Sequence, residues 1–250
     1  MPAESLFLAH IQDLSDRALK TWEVCYTQFL APPELVQAVQ LLERLTEIHC
    51  LGWGGYAQAE RQILAIARPE LEITPSQFPI LPLQIMGNFL FDPAHHRDFL
   101  GAILSTGIER DQVGDIIVLG ERGAQVIVAS HLADYLTTQL TQVRTVPVTT
   151  QPIPWSDLSI RLPQQKEVIT TEASLRLDAV ASAGFGISRS KMVELIMGDE
   201  VRVNWQSVTS PSYQLKSGDL VSLRGKGRLT IGDITITKKQ RYRIQMLRST

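Results

Sequence analysis

Cysteine is almost missing from this 250-residue chain: Cys25 and Cys50 are the only two. Two thiols cannot build a disulfide framework, nor a zinc site by themselves. Both stand in apolar helical patterns and read as buried, reduced core residues. Long apolar runs are also lacking, and none approaches the roughly eighteen residues that a membrane helix needs, so no membrane insertion is expected. Met1-Pro2-Ala3-Glu4 lacks the basic start and apolar centre of a secretory signal, and the expected location is cytoplasmic. No G-x-x-x-x-G-K-[ST] phosphate loop, internal repeat or low-complexity tract stands out.

What is present is an ordinary globular composition, 44% hydrophobic and 20% charged, with a net charge of −2 that hides an asymmetry. From Glu172 to Thr250 there are 13 Lys and Arg against 7 Asp and Glu, while the rest of the chain holds 11 against 19. A cationic excess confined to one segment attracts polyanions to that segment.

Apolar residues at Phe7, Ile11, Leu14, Ala18, Trp22, Cys25 and Phe29 follow helical steps. Pro32-Pro33 starts a second helix lined by Leu35, Val39, Leu42 and Leu45, and Gln58 to Ala67 reads as a third. Residues 1–74 are therefore expected to be a helical N-terminal domain. From 75 to 150 the period changes. The predicted order is strand Ile80–Met86, helix Ala94–Ser105, strands Ile116–Leu119 and Gln125–Ala129, helix Leu132–Gln142 and an extended Val143–Val148. That β-α-β-β-α-β order is the ferredoxin-like, RRM-like split unit. Its strands carry no aromatic on Ile80–Met86 or Gln125–Ala129, so this sheet is expected to pack against something and not to stack bases. Pro152, Pro154 and Pro163 suggest an extended linker over 151–172. The overall class is α+β.

The block from 173 to 250 reads as two short helices, Leu175–Ala183 and Arg189–Met197, followed by strands at Val201–Trp205, Leu220–Arg224, Arg228–Ile236 and Tyr242–Leu247. Ser188 is a candidate N-cap. Arg189 and Lys191 oppose the dipole at that helix start, which makes sense if a phosphate completes the site. Arg224-Gly225-Lys226-Gly227-Arg228 alternates cations with glycines, and Lys238, Lys239, Arg241 and Arg243 add a second basic stretch. Taken alone these are equally well a turn and solvated strand edges. With Arg176 they favour one docking face for an anionic polymer.

Ser174-Leu175-Arg176-Leu177-Asp178, Ile187-Ser188-Arg189-Ser190-Lys191, Leu195 through Asn204 and Gly218-Asp219 together resemble the S4 RNA-binding domain in order and spacing. That resemblance carries Arg176, Ser188, Arg189, Lys191 and Arg202 over as RNA-facing; Arg224, Lys226, Arg228, Lys238 and Lys239 join them from the charge pattern. Asp178 reads as structural, pairing locally. Upstream, Thr27–Pro32, His96–Leu104, Gly107–Arg110 and Val113–Val118 resemble YlmH-type proteins and their cyanobacterial and plastid relatives, the photosystem II S4 domain proteins. The resemblance implies a helical N-terminal part, an RRM-like middle and a C-terminal S4 domain. It also implies structured rRNA or tRNA as partner, with the large ribosomal subunit foremost, and the plastid stroma as location in a photosynthetic eukaryote. No pigment or cofactor site supports a photosystem role.

Two other classes stay open: an adaptor whose acidic N-terminal part binds a protein, in thylakoid assembly or cell division, and an RNA-modifying enzyme. Against the enzyme, Arg176-Leu177-Asp178 is the only R-L-D and lies in the S4 block, and HIGH-like and KMSKS-like loops are absent. Asp92, His95, His96, Arg97 and Asp98 read as a helix-start cluster, since adjacent histidines point apart on a helix. Trp53-Gly54-Gly55-Tyr56 reads as a turn with two aromatic plugs. No cofactor, metal or catalytic residue is expected.

Overall fold

The computed structural model describes residues 2–160 and 165–249, with side chains from Leu6 onward, and the chain divides into two units at 160/161. In the first unit, α1 (Pro2–Thr21) stops where Trp22 turns left-handed at φ 57°. The apolar positions beyond it belong to extended chain, including β1 (Cys25–Tyr26), with Cys25, Thr27 and Phe29 buried alternately. A step of four residues is one helical turn or two strand periods, which is why the run read as helix. Next come α2 (Pro32–Leu42), β2 (His49–Trp53) and β3 (Ile63–Ala67). The expected third helix over 58–67 is thus a correction: its apolar run is the fully buried central strand of a β1-β3-β2 sheet. Leu64 and Ile66 pack beneath α1 and α2, while Ile63 and Ala65 face the other way. A short apolar run with both faces covered has no period to betray it.

The middle of this unit runs β4 (Ile80–Met86), α3 (His96–Ser105), β5 (Val113–Val118), β6 (Gly123–Ala129), α4 (Ala133–Gln139), a small hairpin of β7 (Gln142–Val143) and β8 (Val146–Pro147), and β9 (Thr149–Pro152). The sheet order β5-β6-β4-β9 is antiparallel throughout, with the first strand between the third and fourth of the split unit. The fourth strand is Thr149–Pro152, several residues later than the expected 143–148. One face packs on α3 and α4 through Phe89, Phe99, Ile103 and Leu136. The opposite face sends Ile80 and Ile127 into a second cluster with Phe29, Ile63, Ala65 and Phe78. The aromatic-free sheet face is used, in that region, for packing against the N-terminal sheet.

A polar clasp fixes this seam. Asp115 accepts from the Tyr56 hydroxyl (2.7 Å) and from the backbone N–H groups of Glu60 (2.7 Å) and Arg61 (3.1 Å). Arg61 in turn donates to the carbonyls of Phe29 (2.7 Å) and Val113 (3.1 Å). Burial, and then the Asp115 charge, push the Tyr56 hydroxyl above its ordinary pKa, so it remains a donor. Gly123 at φ 113° is obligatory here, because a Cβ would sit 2.0 Å from the Ile85 carbonyl oxygen of the paired strand.

The expected linker is also corrected. Thr149–Pro152 pairs with Leu83–Met86, and Leu158 is buried. Gln125 holds the returning chain by donating to the Asp157 carbonyl (2.9 Å) and accepting from the Ser159 N–H (2.7 Å). Pro163 lies outside the described residues.

The second unit opens with β10 (Gln165–Glu172), also read as linker. It continues through α5 (Leu177–Phe185), α6 (Arg189–Met197), β11 (Val201–Val203), β12 (Gln206–Ser207), β13 (Leu220–Leu223), β14 (Gly227–Ile236) and β15 (Tyr242–Ser249). Its antiparallel sheet has the order β10-β15-β14-β13-β11-β12. The two helices cover one face, burying Leu177, Val180, Met192 and Ile196 against Val201, Val221, Leu229 and Ile244. Gly186, left-handed at φ 68°, ends α5 and frees the chain to turn into α6. Among the described residues, no helix is long and apolar enough to cross a membrane.

Candidate nucleic-acid interface

The start of α5 places a carboxylate where α6 begins. Asp178 is 3% exposed and accepts from Arg176 Nε (3.0 Å) and Nη2 (3.1 Å), and from Arg189 Nε (3.0 Å). Its Oδ1 also takes the N–H of Ala179 at 3.0 Å. Burial works to raise the Asp178 pKa, but the hydrogen bonds and charges of the two arginines outweigh it and hold the group below the carboxylate range. The arginine side chains stay 37% and 56% exposed. One buried anion therefore fixes two guanidiniums side by side at the helix junction and leaves a surplus cation there. Asp178 was expected to pair locally; its bridge to Arg189, eleven residues on, was not visible in the sequence.

Ser188 is the N-cap of α6, accepting from the Lys191 N–H at 3.3 Å. Lys191 Nζ meets Glu194 at 2.9 Å in an exposed pair of the kind that contributes little. Neither arrangement gathers the α6 start around an empty anion site, since Arg189 turns to Asp178 and Lys191 to Glu194. We expect Ser188→Ala to cost about 1 kcal/mol as a lost cap, read as a lower thermal midpoint, with RNA affinity unchanged. A selective loss of affinity would return Ser188 to the contact surface.

Four other candidates meet elsewhere in the unit. Arg202 projects from β11, the β13–β14 turn carries Arg224 and Lys226, and Arg228 stands at the start of β14. Arg202, Arg224 and Arg228 line a groove of about 790 Å³ together with Trp205, Asp199 and Glu200. Arg228 stacks its guanidinium over the Trp205 ring at 4.7 Å. Arg202, Ser222 and Arg228 lie in register across β11, β13 and β14, so their side chains share the sheet face away from the helices.

Lys238 and Lys239 belong to the β14–β15 turn, at the other end of β14. That strand has 10 residues, roughly 33 Å of chain. The expectation of one continuous docking face for all ten residues is corrected to two clusters plus an outlying turn. The motif residues Asn204 and Asp219 prove architectural: Asn204 donates to Asp219 (2.8 Å) and accepts from the Leu220 N–H (2.9 Å).

The tempting cluster near His95 is a helix start. Asp98 accepts from the His95 N–H at 2.8 Å, and Arg144 bridges Asp92 (2.7 Å) and Asp98 (3.6 Å). Among the described residues no group of three or more His, Cys, Asp or Glu is arranged to hold a metal ion.

Residues 4–71 match the model "YlmH, N-terminal", residues 74–157 match "Putative RNA-binding domain in YlmH", and residues 175–221 match "S4 domain". The chain is 37% identical over 221 residues to a Bacillus subtilis protein named ribosome-associated protein quality control protein P2, covering 87% of this chain and 84% of that one. The chain belongs to the YlmH family. Its S4 segment is also 44% identical over 54 residues to the small ribosomal subunit protein uS4 of Pseudomonas aeruginosa, covering 21% of this chain and 26% of that protein. A solved Streptococcus pneumoniae structure titled cell division protein ylmH aligns with a TM-score of 0.55 at 20% identity, over 63% of this chain and 95% of that one. At that identity it shows the YlmH fold alone. The S4 match stops at 221, whereas the sheet that completes this YlmH unit runs on through β14 and β15.

Proposed function

We propose that this YlmH-family protein is a non-enzymatic RNA-binding protein that docks on structured rRNA of the large ribosomal subunit, or on tRNA bound there, in ribosome-associated quality control. The observation that carries the reading is the groove of the S4 unit, where Arg202, Arg224 and Arg228 converge with Lys226 on the adjoining turn. The Asp178-held pair Arg176 and Arg189 adds a second cationic point on the same small module. Fixed cations at separated points match a phosphate backbone in shape, which is how folded RNA is selected when base edges are out of reach. The name carried by the Bacillus subtilis relative points to the ribosome as the place where this happens.

Sedimentation of purified protein with separated ribosomal subunits tests this directly. Comigration with the large subunit that falls steeply as salt rises is the expected result, since displaced counterions drive such binding. Failure to migrate with any subunit at low salt would refute the reading. Comigration that survives nuclease digestion of the RNA would favour the adaptor alternative.

A further inference from the structure

The β11–β12 hairpin closes through a two-residue loop, Asn204-Trp205, with both residues left-handed at φ 49° and φ 68°. A tight loop of this hand suits the twist of the strands, and glycine is the preferred residue at its second position. Asparagine tolerates the left-handed region, and here both ends of its amide are held by Asp219 and Leu220. An indole at the next position is a backbone outlier that works against the fold. Such strain persists where the side chain has a use. The Trp205 side chain is partly buried, lines the groove with Arg202 and Arg224, and carries the Arg228 guanidinium on its ring at 4.7 Å.

We propose that Trp205 is a stacking platform for one unpaired nucleobase, a bulged or looped-out nucleotide whose flanking phosphates lie against Arg202 and Arg224. An aromatic face accepts any base, and a neighbouring guanidinium extends the stack. A continuous A-form duplex offers no such base, because its bases are stacked on one another. The groove would therefore select a helical defect within folded RNA. This rests on the RNA-binding reading above and narrows it to a substrate feature.

The test compares two RNA hairpins that differ by one bulged adenosine, titrated against the full chain and its Trp205→Gly and Trp205→Tyr variants by fluorescence anisotropy. The wild type is expected to prefer the bulged hairpin by roughly tenfold. Trp205→Gly should bring the ratio of the two affinities to about one, and Trp205→Tyr should keep part of the preference. Glycine at φ 68° should also raise the thermal midpoint by a few degrees, since the turn is relieved. Equal wild-type affinity for the two hairpins would overturn the proposal, as would a preference that survives in Trp205→Gly. A Trp205→Gly protein that melts lower would mark the ring as a packing element and overturn it too. Binding of neither hairpin would bring down the RNA-binding reading itself, a different failure from loss of the preference alone.

Discussion

Asp178→Ala is expected to lower the thermal midpoint of the S4 unit by roughly 10–20 °C. The carboxylate is buried and serves two arginines and the Ala179 N–H at once. Removing one partner of a fully buried ion pair costs roughly 3–5 kcal/mol. Arg176 and Arg189 keep enough exposure to rehydrate, so the cost here should be about 2–3 kcal/mol. Because the folded carboxyl lies below its ordinary range, its contribution is complete above the unfolded value of about 3.9. It is lost as pH falls through the depressed folded value. Acid titration of the wild type should therefore show a loss of stability beginning below about pH 4 that is smaller in Asp178→Asn. Scanning calorimetry decides it: a midpoint shift under about 3 °C would mean that packing alone positions the two arginines.

Neutralising the groove is the second large effect. With Arg202, Arg224 and Lys226 all changed to alanine, the plot of log affinity against log salt should flatten by about 2–3, near 0.7–0.9 for each lost phosphate contact. Affinity at moderate salt should fall on the order of a hundredfold. These side chains are exposed and folding should be intact. Lys238→Ala with Lys239→Ala serves as the contrast, since that turn lies at the other end of β14. It should leave the slope within error of wild type. A flattened slope in the lysine variant and an unchanged one in the groove variant would move the binding surface to the β14–β15 turn.

Much of the molecule was legible in the sequence because local signals and tertiary context agree there. The Ser188 cap and the Gly225–Gly227 turn each state their geometry within a few residues. The strands and helices from Ile80 to Gln139 were readable from alternating periods for the same reason, and the last strand was not. The segments that misled share one property. Ile63–Ala67 is buried on both faces, Cys25–Phe29 satisfies two periods at once, and Gln165–Glu172 is a polar edge strand with little apolar alternation. In each case a partner that fixes the structure lies far along the chain, as Cys25 does opposite Ile66 and Gln165 opposite Ser249. The site followed the same division. Residue types near Ser188 and Arg224 announced a cationic surface. The Asp178–Arg189 bridge and the left-handed Trp205 became visible only in three dimensions.

The pairing of β10 with β15 along its entire length redefines where the C-terminal module begins and ends. Residues 175–221 hold the recognition motif and both helices, yet β13 finds its partner in β14, and β14 finds its own in β15. A fragment trimmed to the motif would present bare strand edges to other copies of itself, the circumstance that invites self-association. The smallest piece that keeps every strand of that sheet begins at Gln165, where the outermost strand is the polar β10, and the motif borrows its covered edge from strands it does not contain.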